Sequence, residues 1–299
     1  MTNHGRYMVG LIGEGIGPSL SPALHTQEAR SLGIDYEYRL FDLAQLHRPP
    51  ESVGEILHEL SDNGYCAVNI TYPCKQLVLQ HLDEIDENAR RLGAVNLVLI
   101  RDGRFTGFNT DWVGFRDGVV DGLPGRRLDH IVQFGGGGAG SAAAYAMLSL
   151  GTIRLTLADI DPRRMAELAD RLRASYPDRQ IEAISVQGAE PVMRQVDGAI
   201  NATPLGMSNH PGTAFDVTRL RPDAWVADVV YFPIETQLLR EARSTGHEVL
   251  DGGRMNVGQA VEGMRLITGI RPDAARMRAH FLELTAHADE PAPNDKETQ

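Results

Sequence analysis

Six residues, Gly135-Gly136-Gly137-Gly138-Ala139-Gly140, constrain this chain more than any other feature. They come directly after an apolar run at 131–134 and lead into the small-residue stretch Ser141-Ala-Ala-Ala-Tyr145. A strand, a Gly-x-Gly-x-x-Gly turn and a helix of small residues form the phosphate-binding unit of dinucleotide folds. Gly135 permits the tight turn, Gly137 lets a pyrophosphate approach the backbone, and Gly140 lets helix and strand pack closely. The helix N-terminus then meets the phosphate charge with free N–H groups.

The chain beyond the loop fits that unit. A second apolar run at 155–158 ends in Asp159, 19 positions past Gly140, where a ribose-binding carboxylate is expected. Asp161-Pro162 already supplies an N-cap and a first helical residue for the next helix, which leaves Asp159 free for the ribose hydroxyls. Its charge repels a 2′-phosphate, so NAD is preferred and NADP is the less favoured cofactor. Arg163 and Arg164, one turn away, are the groups that could instead accept a phosphate.

The periodicity places strands at 131–134, 155–158, 181–185, 199–201 and 226–230, with helices at 139–150, 162–174 and, more weakly, 191–196. An earlier alternation has strands at 8–12, 36–40, 67–70 and 95–100 and helices at 22–32, 53–60 and 84–92. Both alternations point to α/β architecture. The expected fold is an amino-terminal α/β substrate domain with a mostly parallel sheet, plus a Rossmann-type NAD-binding domain, with a cleft between them. A helix at 111–120 bridges them, and Asp121-Gly-Leu-Pro124-Gly-Arg-Arg marks a boundary. Two more helical patterns lie at 255–268 and 273–286. The expected division is a substrate-binding domain at 1–110, completed by 251–286, a dinucleotide-binding domain at 111–250, and a disordered tail at 287–299.

A net charge of −11 argues against nucleic acid or an anionic membrane as the main partner. The start, from Met1 to Tyr7, is polar, and no run approaches the ~20 apolar residues of a membrane span. The two cysteines, Cys66 and Cys74, make neither a four-ligand zinc site nor a common redox pair, so no metal and a cytoplasmic setting are expected. The partner is a small molecule, and the chain is a monomer or a homodimer.

The amino-terminal half carries polar clusters where a simple core would be apolar: Ser19-Leu-Ser21-Pro-Ala-Leu-His25, Asn69-Ile-Thr71-Tyr-Pro-Cys-Lys75, Gly93-Ala-Val-Asn96 and Gly107-Phe-Asn-Thr-Asp111. Each alone reads as caps and solvated side chains. In order, and together with the glycine loop, Asn201-Ala-Thr203-Pro-Leu-Gly-Met207, Asp228-Val-Val-Tyr231 and Met255-Asn-Val-Gly-Gln259, the set resembles the shikimate dehydrogenase family from about residue 8 to 285.

That resemblance implies a catalytic pair, Lys75 and Asp111, with Ser19, Ser21, Thr71, Asn96, Tyr231 and Gln259 around a cyclic hydroxy acid. It places Asn201, Thr203, Met207 and Gly252 with the glycine loop at the cofactor. The family usually carries Asn-Arg-Thr after its second cofactor strand, whereas Asp159-Ile160-Asp161 stands here. This departure is similar to the NAD-using quinate/shikimate dehydrogenase branch, as are His210-Pro-Gly-Thr-Ala-Phe-Asp216 and Asp228-Val-Val-Tyr-Phe-Pro-Ile-Glu-Thr236. Leu97 and Asn256 replace the family's frequent Thr and Leu and bear on substrate preference. The implied reaction is hydride transfer between nicotinamide and the ring alcohol of shikimate, quinate or both. An amino-substituted analogue as substrate, or a non-catalytic NAD-binding regulator, are the alternatives, and NAD use leans towards oxidation as the working direction.

Overall fold

The computed structural model describes residues 5–288. Its first sheet contains β1 (Tyr7–Gly13), β2 (Tyr36–Asp42), β3 (Ala67–Ile70), β4 (Glu84–Ile85), β5 (Leu97–Arg101) and β6 (Arg104–Phe108), in the order β2-β1-β3-β5-β6-β4. Strand β1 pairs parallel with β2 and β3, and β4 parallel with β6, while β5 runs antiparallel to both β3 and β6. The second sheet contains β7 (His130–Phe134), β8 (Arg154–Asp159), β9 (Gln180–Ser185), β10 (Gly198–Asn201), β11 (Trp225–Asp228) and β12 (Val249–Leu250). All its pairings are parallel, in the order β12-β11-β10-β7-β8-β9. Strand order reverses between β7 and β10, the position at which such sheets open a crevice for a ligand.

Several elements differ from the expectations from sequence, each for a local reason. The expected single strand at 95–100 is the first arm of a hairpin. Asp102 and Gly103, at φ 51° and 74°, make the tight two-residue turn that returns the chain as β6. The expected helix at 84–92 is divided, because Glu84–Ile85 pairs with β6 and Asp86 then caps the helix Glu87–Leu92 through the N–H groups of Asn88 and Ala89. The strand expected at 226–230 ends at Asp228, whose carboxylate binds the Val230 N–H and turns the chain out of the sheet. The weak helix at 191–196 shrinks to Glu190–Met193, and the helix Gln237–Ser244 and β12 had no expectation. The last helix, Ala274–Ala288, runs two residues into the segment assigned to a tail; residues 289–299 lie outside the described residues.

Two helices join the sheets. Asp111–Gly122 leaves the first sheet for the second, and Gly252–Thr268 returns from the second to the first. They cross at Gly114 and Gly258, where a Cβ on Gly114 would lie 2.4 Å from the Met255 carbonyl oxygen, and one on Gly258 would lie 2.7 Å from the Gly114 Cα. At and beyond the crossing, Val257, Ala260, Met264, Ile267, Met277 and Phe281 enter the core cluster of Val9, Leu24, Ala67 and Leu97. Buried Glu28 fastens this return by accepting from Arg276 Nη2 at 2.6 Å, Arg276 Nε at 2.8 Å and the Asp273 N–H at 2.9 Å. A second tie lies at Leu92, which is buried in the core of the other sheet together with Tyr145 and Leu172.

Gly114→Ala forces a methyl group into backbone with no side chain to yield. Overpacking of this kind costs on the order of 1–3 kcal/mol, so calorimetry should show a Tm lowered by several degrees. An unchanged Tm would contradict the backbone contact.

Candidate active site

The glycine loop leaves β7 with Gly135 at φ 98°, a conformation that side chains rarely adopt, and a Cβ there would lie 2.4 Å from the Ala202 carbonyl oxygen. A Cβ on Gly140 would stand 2.2 Å from the Gly135 carbonyl oxygen, so the helix Gly138–Ser149 packs directly onto the turn. Around Gly137, by contrast, a Cβ would meet nothing within 4 Å. The loop is therefore tight on its protein side and open at its middle glycine. The first turn of the helix carries no acidic residue, so its N–H groups and dipole are available to an anion. These features fit a dinucleotide pyrophosphate.

Asp159 ends β8 beside this loop, as expected, but it is not free. Its Oδ2 accepts from the Gly136 N–H at 2.7 Å and its Oδ1 from the Asp161 N–H at 2.9 Å. The cause is simple: a strand-end carboxylate next to a glycine turn meets unpaired N–H groups first. Each oxygen keeps a second lone pair for a hydroxyl. Asp161 caps the helix Pro162–Ser175 through the N–H groups of Arg163 and Arg164, as the sequence indicates. The Arg164 guanidinium lies 3.9 Å from Asp159 and 3.6 Å from Asp161.

Opposite the loop, Lys75 Nζ donates to Asp111 Oδ2 at 2.6 Å. These residues are 36 positions apart and belong to different elements, Cys74–Leu77 and the start of Asp111–Gly122. The stem of Lys75 also reaches the loop, with its Cδ 3.9 Å from where a Cβ of Gly138 would be. Asn96 Nδ2 donates to Asp111 Oδ1 at 2.8 Å and to Thr110 Oγ1 at 3.0 Å, while its Oδ1 accepts the Thr110 N–H at 2.7 Å. Asn109 Oδ1 accepts the Asp111 N–H, and Asn109 Nδ2 binds the Ala94 carbonyl. The carboxylate is thus held from both sides, with one oxygen turned to the amine. Asn96, expected from sequence as a substrate contact, spends both of its N–H bonds on Thr110 and Asp111.

The remaining sequence-predicted residues fall into two groups. Ser19 Oγ accepts the Ser21 N–H at 3.3 Å, and the Ser21 hydroxyl engages Tyr38, whose own hydroxyl donates to Asn69 Oδ1 at 3.1 Å. Burial holds the Tyr38 phenol well above its ordinary pKa, and the Ser21 hydrogen bond opposes that shift. Thr71 is half-buried, its methyl filling the space a Cβ on Gly13 would need. Gln259 lies at the Gly114–Gly258 crossing, its Nε2 donating to the Asn256 carbonyl at 3.0 Å. Tyr231 is 37% exposed and packs edge-on against Phe281. Its phenol pKa is raised by loss of water and then by the negative charge of Asp111.

The second group supports the cofactor side from behind. Asn201, fully buried, donates to the Leu205 carbonyl and to Asp228 Oδ1, both at 2.9 Å, and accepts from Thr203 N–H and Oγ1. Asn201 and Thr203 thereby shape the 203–207 loop, on which Met207 is 39% exposed. Burial pushes the Asp228 carboxyl up to about 6, against the lowering effect of its bonds to Val230, Thr236 and Asn201. Gly252 is required by backbone alone, since a Cβ would lie 2.4 Å from the Val229 carbonyl oxygen.

Three supporting residues carry no clear mark in the sequence. Asp42 accepts the Gly15 and Ile16 N–H groups, fixing the loop that leads to Ser19 and Ser21. Tyr38 looks like an ordinary strand residue, and Gln133 is marked only as a polar side chain inside an apolar parallel strand. Among the described residues, no group of three His, Cys, Asp or Glu is placed to hold a metal ion, and no helix is long and apolar enough to cross a membrane.

A doubly wound parallel sheet with a glycine cradle, facing an amine–carboxylate pair carried by two helices beside the other sheet, defines an oxidoreductase that uses a pyridine nucleotide. Residues 11–98 match the family profile described as the shikimate dehydrogenase substrate binding domain. A shikimate dehydrogenase (NADP(+)) of Arthrobacter sp. (strain FB24) is 53% identical over 94% of this chain and 96% of its own length. A quinate/shikimate dehydrogenase (NAD(+)) of Corynebacterium efficiens is 46% identical over 94% of this chain and 100% of its own. The solved structure of a quinate dehydrogenase from Corynebacterium glutamicum in complex with NAD has a TM-score of 0.88 at 44% identity, covering 93% of this chain and 99% of that one. The chain belongs to the shikimate dehydrogenase family.

Two alanine substitutions separate the parts of the loop. Gly137→Ala should leave Tm within a degree or two and weaken nucleotide binding at least tenfold, read by fluorescence titration. Gly140→Ala should lower Tm by several degrees, because its methyl collides with the Gly135 carbonyl. Wild-type affinity in Gly137→Ala would remove the loop from the cofactor site.

Proposed function

We propose that this protein is an NAD-dependent dehydrogenase that interconverts the ring alcohol of shikimate, quinate or both with the corresponding 3-dehydro ketone. Residues 1–110 with 251–286 bind the ring acid, and residues 111–250 bind the nucleotide. The observation that carries this reading is the Lys75–Asp111 pair, 2.6 Å apart, with the lysine stem against the glycine loop.

A pyridine nucleotide, its pyrophosphate held by the glycine loop, would supply the hydride acceptor. The chain's own residues handle the proton and the ring. In oxidation, the substrate hydroxyl gives its proton to the Lys75–Asp111 pair as the hydride leaves the same carbon. In reduction, the Lys75 ammonium polarises the ketone and then donates a proton from Nζ to the forming alkoxide. Asn96 holds Asp111 Oδ1, so that Oδ2 stays turned to the amine. Ser19, Ser21, Thr71 and Gln259 surround the ring with polar groups and Tyr231 lines the junction beside them, since each buried hydroxyl of the substrate needs a partner.

For the cofactor, the negative charge of Asp159 at the end of β8 favours ribose hydroxyls over a 2′-phosphate. Arg164, the neighbouring cation, is already drawn between Asp159 and Asp161. NADP is the competing reading, favoured by the exposed Arg163 and by the name of the Arthrobacter relative.

Lys75→Ala and Asp111→Ala should each lower kcat by about 10²-fold or more, the usual worth of a general acid–base group, while NAD affinity by titration stays within about twofold. Near-normal turnover in both would take them out of the chemistry. Steady-state kinetics with both acids and both nucleotides should give a kcat/KM at least tenfold higher with NAD than with NADP. Asp159→Ala should shrink that ratio, and a wild-type preference for NADP would overturn the role given to Asp159.

A further inference from the structure

Gln133 is an unusual residue for its place. It sits in the middle of the second sheet, with β8 on one side and β10 on the other, and has no exposed surface. Its amide nitrogen donates to the Gly135 carbonyl at 2.9 Å and to the Gly140 carbonyl at 2.8 Å. Its two N–H bonds therefore tie the first and last glycines of the loop to one side chain. The orientation is forced, because the flipped amide would set its oxygen against two carbonyl oxygens. The oxygen has no such role: Gln133 Oε1 is buried without a hydrogen-bond partner among the described residues. A buried amide left half-satisfied is a poor choice for stability, and an apolar side chain of the same size would suit this strand better.

We infer that Gln133 is a positioning residue for the nucleotide. By holding the Gly135 carbonyl inward and anchoring the first turn of the helix through the Gly140 carbonyl, it fixes the turn so that the helix N–H groups face the pyrophosphate. Asp159 completes the clamp from the other side by holding the Gly136 N–H. The loop's shape is thus set by one side chain beneath it and one beside it, and the middle glycine remains open. This inference rests on the loop being the nucleotide cradle.

Gln133→Met keeps length and volume and removes both donors. With NAD titrated against the full-length protein, its Kd should rise about tenfold. The Tm without nucleotide should be unchanged or higher, and the KM for shikimate or quinate at saturating NAD should stay within twofold. If the Met variant does not yield folded protein, Gln133→Leu serves as the second variant with the same expectations. A Kd for NAD within twofold of wild type overturns the inference. So does a fall in Tm accompanied by an equal rise in the Kd for NAD and the KM for the ring acid, which marks a structural role only. Wild-type protein that binds neither NAD nor NADP would instead overturn the cofactor reading itself, and this inference with it.

Discussion

Where the helices Asp111–Gly122 and Gly252–Thr268 cross, Gly114 and Gly258 bring two backbones into direct contact, and much of the site depends on that closeness. Asp111 is one turn before Gly114, and Gln259 is the residue after Gly258. A side chain at either glycine would separate the helices and, with them, the carboxylate from the amide. The same two helices are the connections between the sheets, so the crossing also sets how the glycine loop faces Lys75. Close packing allows little adjustment at such a point, because interiors have no spare volume to absorb a methyl group.

The polar interior of the first sheet follows from the need to hold a charge pair away from bulk water. Asp111 is 8% exposed, and removing an ionised carboxylate from water is costly unless its oxygens are bonded. Asn96 and Lys75 meet that need, one at each oxygen, while Asn109 holds the Asp111 backbone N–H. Asn69 donates to the Asn96 carbonyl at 3.3 Å and accepts from Tyr38, which meets Ser21, so a connected path of hydrogen bonds runs from the helix start at Ser21 to Lys75. Such networks fix one arrangement because every member is needed to satisfy its neighbours. His25 borders this path, bonded to Tyr36 and packed near Tyr38; its burial pushes its pKa down to about 3, so it stays neutral at ordinary pH.

On the second sheet the arrangement is built from backbone. Gly135 and Gly140 lie where a Cβ would collide with carbonyl groups, and Gly137 lies where nothing opposes one. The contrast separates glycines that the fold requires from one that the packing of the fold does not require. Asn201, Thr203 and Asp228 then brace the neighbouring loop through buried hydrogen bonds, which explains polar residues at the ends of β10 and β11.

The glycine loop, the alternation of strand and helix, the acid after the second strand and the ordered polar clusters are legible in the amino-acid sequence, because each is a local pattern with one good structural solution. The two sheets, the Asp161 cap and the pairing of Lys75 with Asp111 agree closely with those patterns. The features that sequence leaves hidden are of two kinds. The β5–β6 hairpin hangs on two residues, Asp102-Gly103, and the division of the 84–92 segment hangs on a two-residue strand that exists only through its pairing with β6. The Gly114–Gly258 contact, the occupied oxygens of Asp159 and the inward grip of Gln133 depend on groups far apart in the chain. Local pattern determined the elements and the kinds of residue at their ends; distance in space, which only chain closure sets, decided which of those residues face the cleft and which hold the others in place.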